Sequence, residues 1–329
     1  MQNAFRALTL VVPAAVLGAL LVACGAGTSG PVAGTVALSP PLAWQVTTGS
    51  STAQEAIQGL EYYPNSLTID AGDTVVWTFP SGEPHTVALL AAGQDVSALP
   101  APNSPAAQVP AGSSTYDAST FTSSGFVLLG GTYSLKFTKP GTYKVYCLIH
   151  QPEMVQTITV QPTGAAYPQL QNSVTAQAQA AITADLALGQ QSLLLFPYPI
   201  GGTHLVAGIS PGLAVGQPST ATVLRFLDGN TLSSSTATVP VGTTVVWTNQ
   251  SNNEPHTVTF APTGQPFPTL NPFSPPSGAS TYDGTALVNS GVLLPGMSFS
   301  LTFTRTGTYT YHCIFHDDTE NMIGTLVVQ

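Results

Sequence analysis

Tyr146-Cys147-Leu148-Ile149-His150-Gln151-Pro152-Glu153-Met154 and His312-Cys313-Ile314-Phe315-His316-Asp317-Asp318-Thr319-Glu320-Asn321-Met322 place the same three donors in the same order twice in one chain. The first reads Cys-x2-His-x3-Met and the second Cys-x2-His-x5-Met. A strand that ends at the Cys, followed by a short loop, would present thiolate, imidazole and thioether from one place. The surroundings repeat as well. Gly72-Asp73-Thr74-Val75-Val76-Trp77-Thr78 returns as Gly242-Thr243-Thr244-Val245-Val246-Trp247-Thr248, and Glu83-Pro84-His85-Thr86-Val87 returns as Glu254-Pro255-His256-Thr257-Val258. Ser114-Thr115-Tyr116-Asp117 returns as Ser280-Thr281-Tyr282-Asp283. Tyr116, Gly125, Gly141 and Cys147 each recur 166 residues later, whereas His85 recurs after 171, so the first copy carries five extra residues between its His and its Tyr. Two homologous domains follow from this register.

Each copy reads as all-β. Runs rich in Val, Thr, Tyr and Phe, bounded by Gly and Pro, cover Leu67–Asp70, Asp73–Phe79, Thr86–Leu90, Thr132–Thr138, Thr142–Cys147 and Thr157–Val160. Ser298-Phe299-Ser300-Leu301-Thr302-Phe303-Thr304 alternates hydroxyl and apolar residues, the pattern of a sandwich strand with one solvated face. A sandwich of roughly 100–130 residues per copy is expected. Between the copies, Leu170, Val174, Ala178, Ile182 and Leu186 are spaced four apart, which predicts a helix from Gln169 to about Leu188. Asn172 or Ser173 would cap its start and Gly189 its end, as a packed spacer.

Of 329 residues, 43% are apolar and only 6% charged, with six Lys+Arg against fifteen Asp+Glu and a net charge of −9. The basic residues never cluster, which excludes nucleic acid as a partner. Residues 1–24 combine one Arg, an apolar run and a small-residue stretch ending at Cys24, the composition of an export signal. Leu21-Val22-Ala23-Cys24-Gly25 resembles a bacterial lipobox, which implies lipidation of Cys24 and a lipid anchor; an uncleaved anchor helix is the other reading. Residues 25–40 have tether composition. The expected organisation is therefore signal 1–24, tether 25–40, first domain 41–162, helix-bearing linker 163–200 and second domain 201–329.

With Cys24 set aside, Cys147 and Cys313 remain, one in each half. A disulfide between them is one reading and metal ligation the other, and the neighbouring donors favour metal. Two imidazoles, one thiolate and a weak axial thioether are the ligand set of a blue, type 1 copper site, and Met suits copper better than zinc. The expected ligands are His85, Cys147, His150 and Met154, then His256, Cys313, His316 and Met322. Both copies resemble cupredoxins, the plastocyanin and azurin superfamily, over nearly all of the chain except tether and helix. The resemblance implies a Greek-key sandwich of about eight strands in each domain and two type 1 copper ions per chain. Many relatives carry Asn after the first His, where Thr86 and Thr257 stand here.

The implied function is electron transfer outside the cytoplasm, without catalysis, in exchange with a cytochrome or a membrane oxidoreductase. Asp317, Asp318 and Glu320 would offer a basic partner an acidic group beside the second site. His204 and His312 are the spare histidines. His312 directly precedes Cys313, as in copper nitrite reductases, so an oxidoreductase with a further copper at an oligomer interface is the runner-up. Copper storage or delivery is third. The chain lacks the His-x-His pairs of multicopper oxidases and the paired cysteines of a dinuclear electron-transfer site.

Overall fold

Why the two repeats fold as they do is visible strand by strand in the computed structural model, which describes residues 41–53, 56–151, 153–195, 204–210, 221–228, 236–252 and 254–329. The expected signal, its Cys24 and the tether lie outside those residues. The first copy forms β1 (Ala43–Ser51), β2 (Ile57–Tyr63), β3 (Ser66–Asp70), β4 (Thr74–Thr78), β5 (Ala88–Leu89), a short helix α1 (Pro105–Gln108), β6 (Thr115–Tyr116), β7 (Thr122–Ser123), β8 (Thr132–Phe137), β9 (Gly141–Tyr146) and β10 (Val155–Gln161). Helix α2 (Gln171–Leu195) follows. The second copy forms β11 (His204–Ile209), β12 (Thr222–Asp228), β13 (Thr236–Val239), β14 (Thr244–Gln250), β15 (Thr259–Phe260), β16 (Thr281–Tyr282), β17 (Val288–Asn289), β18 (Ser298–Phe303), β19 (Gly307–His312) and β20 (Ile323–Val328). The chain is all-β apart from its helices, as the alternation predicts.

Among the described residues, three sheets build two sandwiches. One five-stranded sheet, β3-β10-β9-β5-β7, closes the first domain, and its counterpart, β13-β20-β19-β15-β17, closes the second. Opposite both runs a single ten-stranded sheet, β16-β18-β14-β11-β12-β2-β1-β4-β8-β6. The domains thus share a sheet through antiparallel pairing of β12 with β2, at Thr222 with Gln58 and Val223 with Ile57. Alternating residues fill each interior: Trp44, Val75, Trp77, Leu135, Phe137 and Ile158 in the first, Val245, Trp247, Phe260, Leu301, Phe303 and Leu326 in the second. Each such side chain contributes roughly 1.5–3 kcal/mol by leaving water. A third core, of Ile57, Val206, Ile209, Val223 and Leu227 with Leu186 of α2 packed on it, lies at the junction.

Helix α2 packs against β1, β2 and β12. Its cap is Leu170, two to three residues before the expected caps, and the Leu170 carbonyl accepts from the amides of both Ser173 and Val174. It also runs through Gly189 instead of ending there. A Cβ on Gly189 would stand 2.3 Å from Ile57 Cγ2, so this glycine serves close approach to the strand and not termination. Just before the helix, Tyr167 donates to Asp73, whose buried carboxylate also accepts from the Leu42 amide, the Trp44 indole and the Asp70 amide. No helix among the described residues is long and apolar enough to cross a membrane.

Candidate metal centres

In each domain the hairpin of the last two long strands presents the donor loop. β9 pairs antiparallel with β10, and the first residues beyond the ladder are still tied: the Cys147 amide donates to Met154 O at 3.1 Å and the Met154 amide to His150 O at 3.1 Å. β19 and β20 repeat this, with the Cys313 amide on Met322 O at 3.1 Å and the Met322 amide on His316 O at 2.7 Å. The two additional residues of the second loop are taken up inside this closure, between His316 and Met322, where Asn321 adopts φ 55°. The remaining histidine arrives from another loop. His85 forms a two-hydrogen-bond bridge with Val127, and His256 does so with Leu293. Threonine then ties the loops together: the Leu148 amide donates to Thr86 Oγ1 at 2.6 Å and the Ile314 amide to Thr257 Oγ1 at 2.8 Å.

The result is two buried clusters. In the first, His85 Nδ1 and His150 Nδ1 lie 3.1 Å apart, with Cys147 Sγ 3.9 and 3.4 Å from them. In the second, His256 Nδ1 and His316 Nδ1 lie 3.1 Å apart, with Cys313 Sγ 3.7 and 3.2 Å away. All six side chains are at most 1% exposed. Donors at such separations fit around one first-row metal ion, with metal–nitrogen and metal–sulfur bonds of about 2.0 and 2.3 Å. Met154 and Met322 are fully buried in the same cores as the two cysteines. Both thiols are free, so the disulfide reading falls away; each Cys faces its own domain's histidines instead.

The sequence model of the copper binding proteins of the plastocyanin/azurin family matches residues 49–161 and again 227–329. The chain belongs to this family. It is 33% identical to chloroplastic plastocyanin of Pisum sativum over 133 residues, which is 39% of this chain and 65% of that protein. It is likewise 33% identical to plastocyanin of Vicia faba over 107 residues, 31% of this chain and 89% of that one. The chain thus spans just under two thirds of the pea protein's length. Among solved structures, a Cu(I) amicyanin variant aligns at 22% identity and TM-score 0.24, covering 36% of this chain and 82% of that chain. A purple cupredoxin from Nitrosopumilus maritimus aligns at 20% identity and TM-score 0.24, covering 39% of this chain and 100% of that chain.

Within these cupredoxin domains, charge is arranged around the donors. Burial alone would push the Cys147 thiol up, but His150 and His85 beside it outweigh burial and hold it well below its ordinary range. Burial would likewise depress His150, yet Glu254 and the Cys147 thiolate raise it well above the usual imidazole value. His316 is raised against burial by Glu83 and Cys313. His256 is lowered, by burial and by His316. The two carboxylates come from opposite sides of the domain boundary. Glu254 Oε1 lies 3.0 Å from His150 Nε2, and Glu83 Oε1 lies 3.0 Å from His316 Nε2, with their second oxygens at 3.6 and 4.0 Å from the other histidine.

Sequence reasoning gave Glu83 and Glu254 no role, although the identical Glu-Pro-His triplets in a chain with fifteen acids were the available signal. It also passed over Gly49 and Gly208, whose positive φ of 69° and 70° lets the backbone lie against His85 and His256. Ser81 Oγ stands 3.1 Å from His85 Nε2. His312 joins neither cluster: its ring stacks on Phe267 at 3.9 Å and its Nδ1 lies 3.3 Å from Asp317. His204 opens β11 opposite Val246. The three acids of the second loop do not form one exposed group. Asp317 faces His312, and Glu320 is buried over Gly82 with its carbonyl accepting from Arg225, leaving Asp318 exposed.

Proposed function

We propose that this is an exported, lipid-anchored electron-transfer protein with two type 1 copper sites, one in each cupredoxin domain. The observation that carries the reading is the double occurrence of a buried His–Cys–His cluster with a buried Met closing the same loop. His85, Cys147, His150 and Met154 would hold one ion and His256, Cys313, His316 and Met322 the other. The chemistry a bound copper ion supplies there is one-electron cycling between Cu(I) and Cu(II). The chain's own part is to keep the donors in one arrangement. Loop closure at Cys147–Met154, the Thr86 cross-tie and complete burial exclude water and resist rearrangement. A cytochrome or a membrane oxidoreductase would exchange the electrons.

Copper content and visible and EPR spectra of the mature protein test this. Two ions per chain and a blue oxidised form are expected, with Cys147→Ser and Cys313→Ser each removing about half the signal. Loss of all colour in either single variant, or of none in both, would sink the two-site reading. The anchor is tested separately: Cys24→Ala should move the protein from membranes to the soluble fraction with its spectrum unchanged.

A further inference from the structure

The Nε2 atoms of His150 and His316 face each other across the domain boundary, and what lies between them is a pair of buried carboxylates. Glu83 is 3% exposed and Glu254 1%, and among the described residues the groups within ion-pair distance of both are these two imidazoles. Glu254 Oε1, Glu83 Oε1 and His150 Nε2 make no aligned hydrogen bond among the described residues, although each lies 3.0 Å from its opposite number. Buried polar atoms at that distance call for a hydrogen bond that ring orientation completes. Ligation supplies that orientation. When Nδ1 is a ligand, the single ring hydrogen sits on Nε2 and points over the boundary, where a carboxylate receives it.

The arrangement is reciprocal. Glu254 stands two residues before His256 of the second cluster, yet touches His150 of the first. Glu83 stands two residues before His85 of the first cluster, yet touches His316 of the second. We propose that Glu83 and Glu254 are positioning residues for the opposite domain: each orients, and makes more basic, the loop histidine of the other domain's metal centre. Carboxylates behind metal-bound histidines fix the ring and raise ligand strength, and losing one typically costs 10–100-fold in metal affinity. Neither domain then holds a complete ligand environment alone. This rests on the metal-binding reading above.

The test uses the full chain in two single-site backgrounds, titrated with Cu(I) against a chelator and inspected as Cu(II) by visible absorption. In Cys313→Ser, which keeps the first cluster, Glu254→Gln should weaken Cu(I) binding about tenfold or more and shift the visible band, with Glu83→Gln the weaker variant. In Cys147→Ser the order should reverse. If each Glu→Gln acts chiefly on its own domain's cluster, or on neither, the proposal is overturned. A third tightly bound ion that both Glu variants abolish overturns it too, by making the carboxylates ligands. Should the Gln variants fail to fold, NMR of the loaded, unmutated chain decides. Slowly exchanging Nε2 protons on His150 and His316, each coupled to a carboxylate of the other domain, support the proposal, and fast exchange at both defeats it. Failure of the unmutated chain to bind copper would instead refute the metal-binding reading itself.

Discussion

Two missing methyl groups decide where the first histidine of each cluster can stand. A Cβ on Gly49 would lie 2.2 Å from His85 Nε2, and one on Gly208 would lie 2.1 Å from His256 Nε2, each at a positive φ that L side chains disfavour. Gly49→Ala should therefore displace His85, cost about 2 kcal/mol or more through strain and overlap, and weaken metal binding in the first domain only. Gly208→Ala should do the same to the second. Gly72 is the control, because its φ of 107° is strained for alanine but a Cβ there meets nothing within 4 Å. Gly72→Ala should cost about 1 kcal/mol and leave both sites intact. Metal titration with thermal unfolding reads all three, and unchanged metal affinity in Gly49→Ala would contradict the account. The glycines were not legible as site residues, since nothing local distinguishes them from other strand glycines.

Within the strands, the two copies solve one packing problem in opposite ways. In the first domain Gln156 pairs across strands with Val145, and its amide accepts from the Trp77 indole at 2.9 Å and donates to Pro64 O at 2.7 Å. In the second, Gly324 pairs with Tyr311, whose ring fills the same space and meets Trp247 edge-on at 5.4 Å. A Cβ on Gly324 would come within 2.2 Å of that ring. Gly324→Gln alone should cost about 2–3 kcal/mol by overpacking. Combined with Tyr311→Val it should recover at least about 1 kcal/mol, since the two positions share one volume. Additive losses in a denaturant double-mutant cycle would refute the exchange.

The docking of α2 on β2 should depend on pH. Burial first, and Asp185 of the helix second, raise Glu61 from 4.5 to about 7, with Asn65 opposing, while Tyr63 donates to Asp185 at 2.7 Å. A carboxyl with a raised folded pKa binds its proton more tightly when folded. Its favourable contribution is therefore complete below about pH 4.5 and is lost as pH rises toward 7. After discounting for the partial exposure of Glu61, the loss is on the order of 2 kcal/mol. Urea unfolding between pH 5 and 8 should show this slope in the native chain and not in Glu61→Gln; equal slopes would remove Glu61 from the explanation.

One sheet running through both domains makes their unfolding a joint event. Val223 is fully buried at the junction, paired with Ile57 and packed with Val206, Ile209 and Leu227. Val223→Asp places an unpaired charge in that core, which should cost about 3 kcal/mol or more and uncouple the halves. Calorimetry should show one transition in the native chain and two in the variant. A single transition persisting in Val223→Asp would mean that the junction does not carry the coupling. The same continuity explains how a chain with 6% charged residues avoids an exposed apolar edge at the join, because β2 and β12 cover each other.

The sequence by itself determined the elements whose information is local. Alternation of hydroxyl and apolar residues specifies strands such as Ser298–Phe303, because side chains on a strand point to opposite faces by turns. Cys, His and Met a few residues apart at a strand end must come off one loop, so the repeated motif disclosed two donor sets and the two domains that carry them. Only the tertiary structure decided the rest. Gly189 looked like a stop because its role depends on Ile57, more than 130 residues earlier in the chain. The pairing of Gln58 with Thr222, and the crossing of Glu83 to His316 and Glu254 to His150, depend on which edges and loops meet once both sandwiches have formed. Periodicity tells a strand which face to bury; it carries no record of the neighbour that will cover its edge.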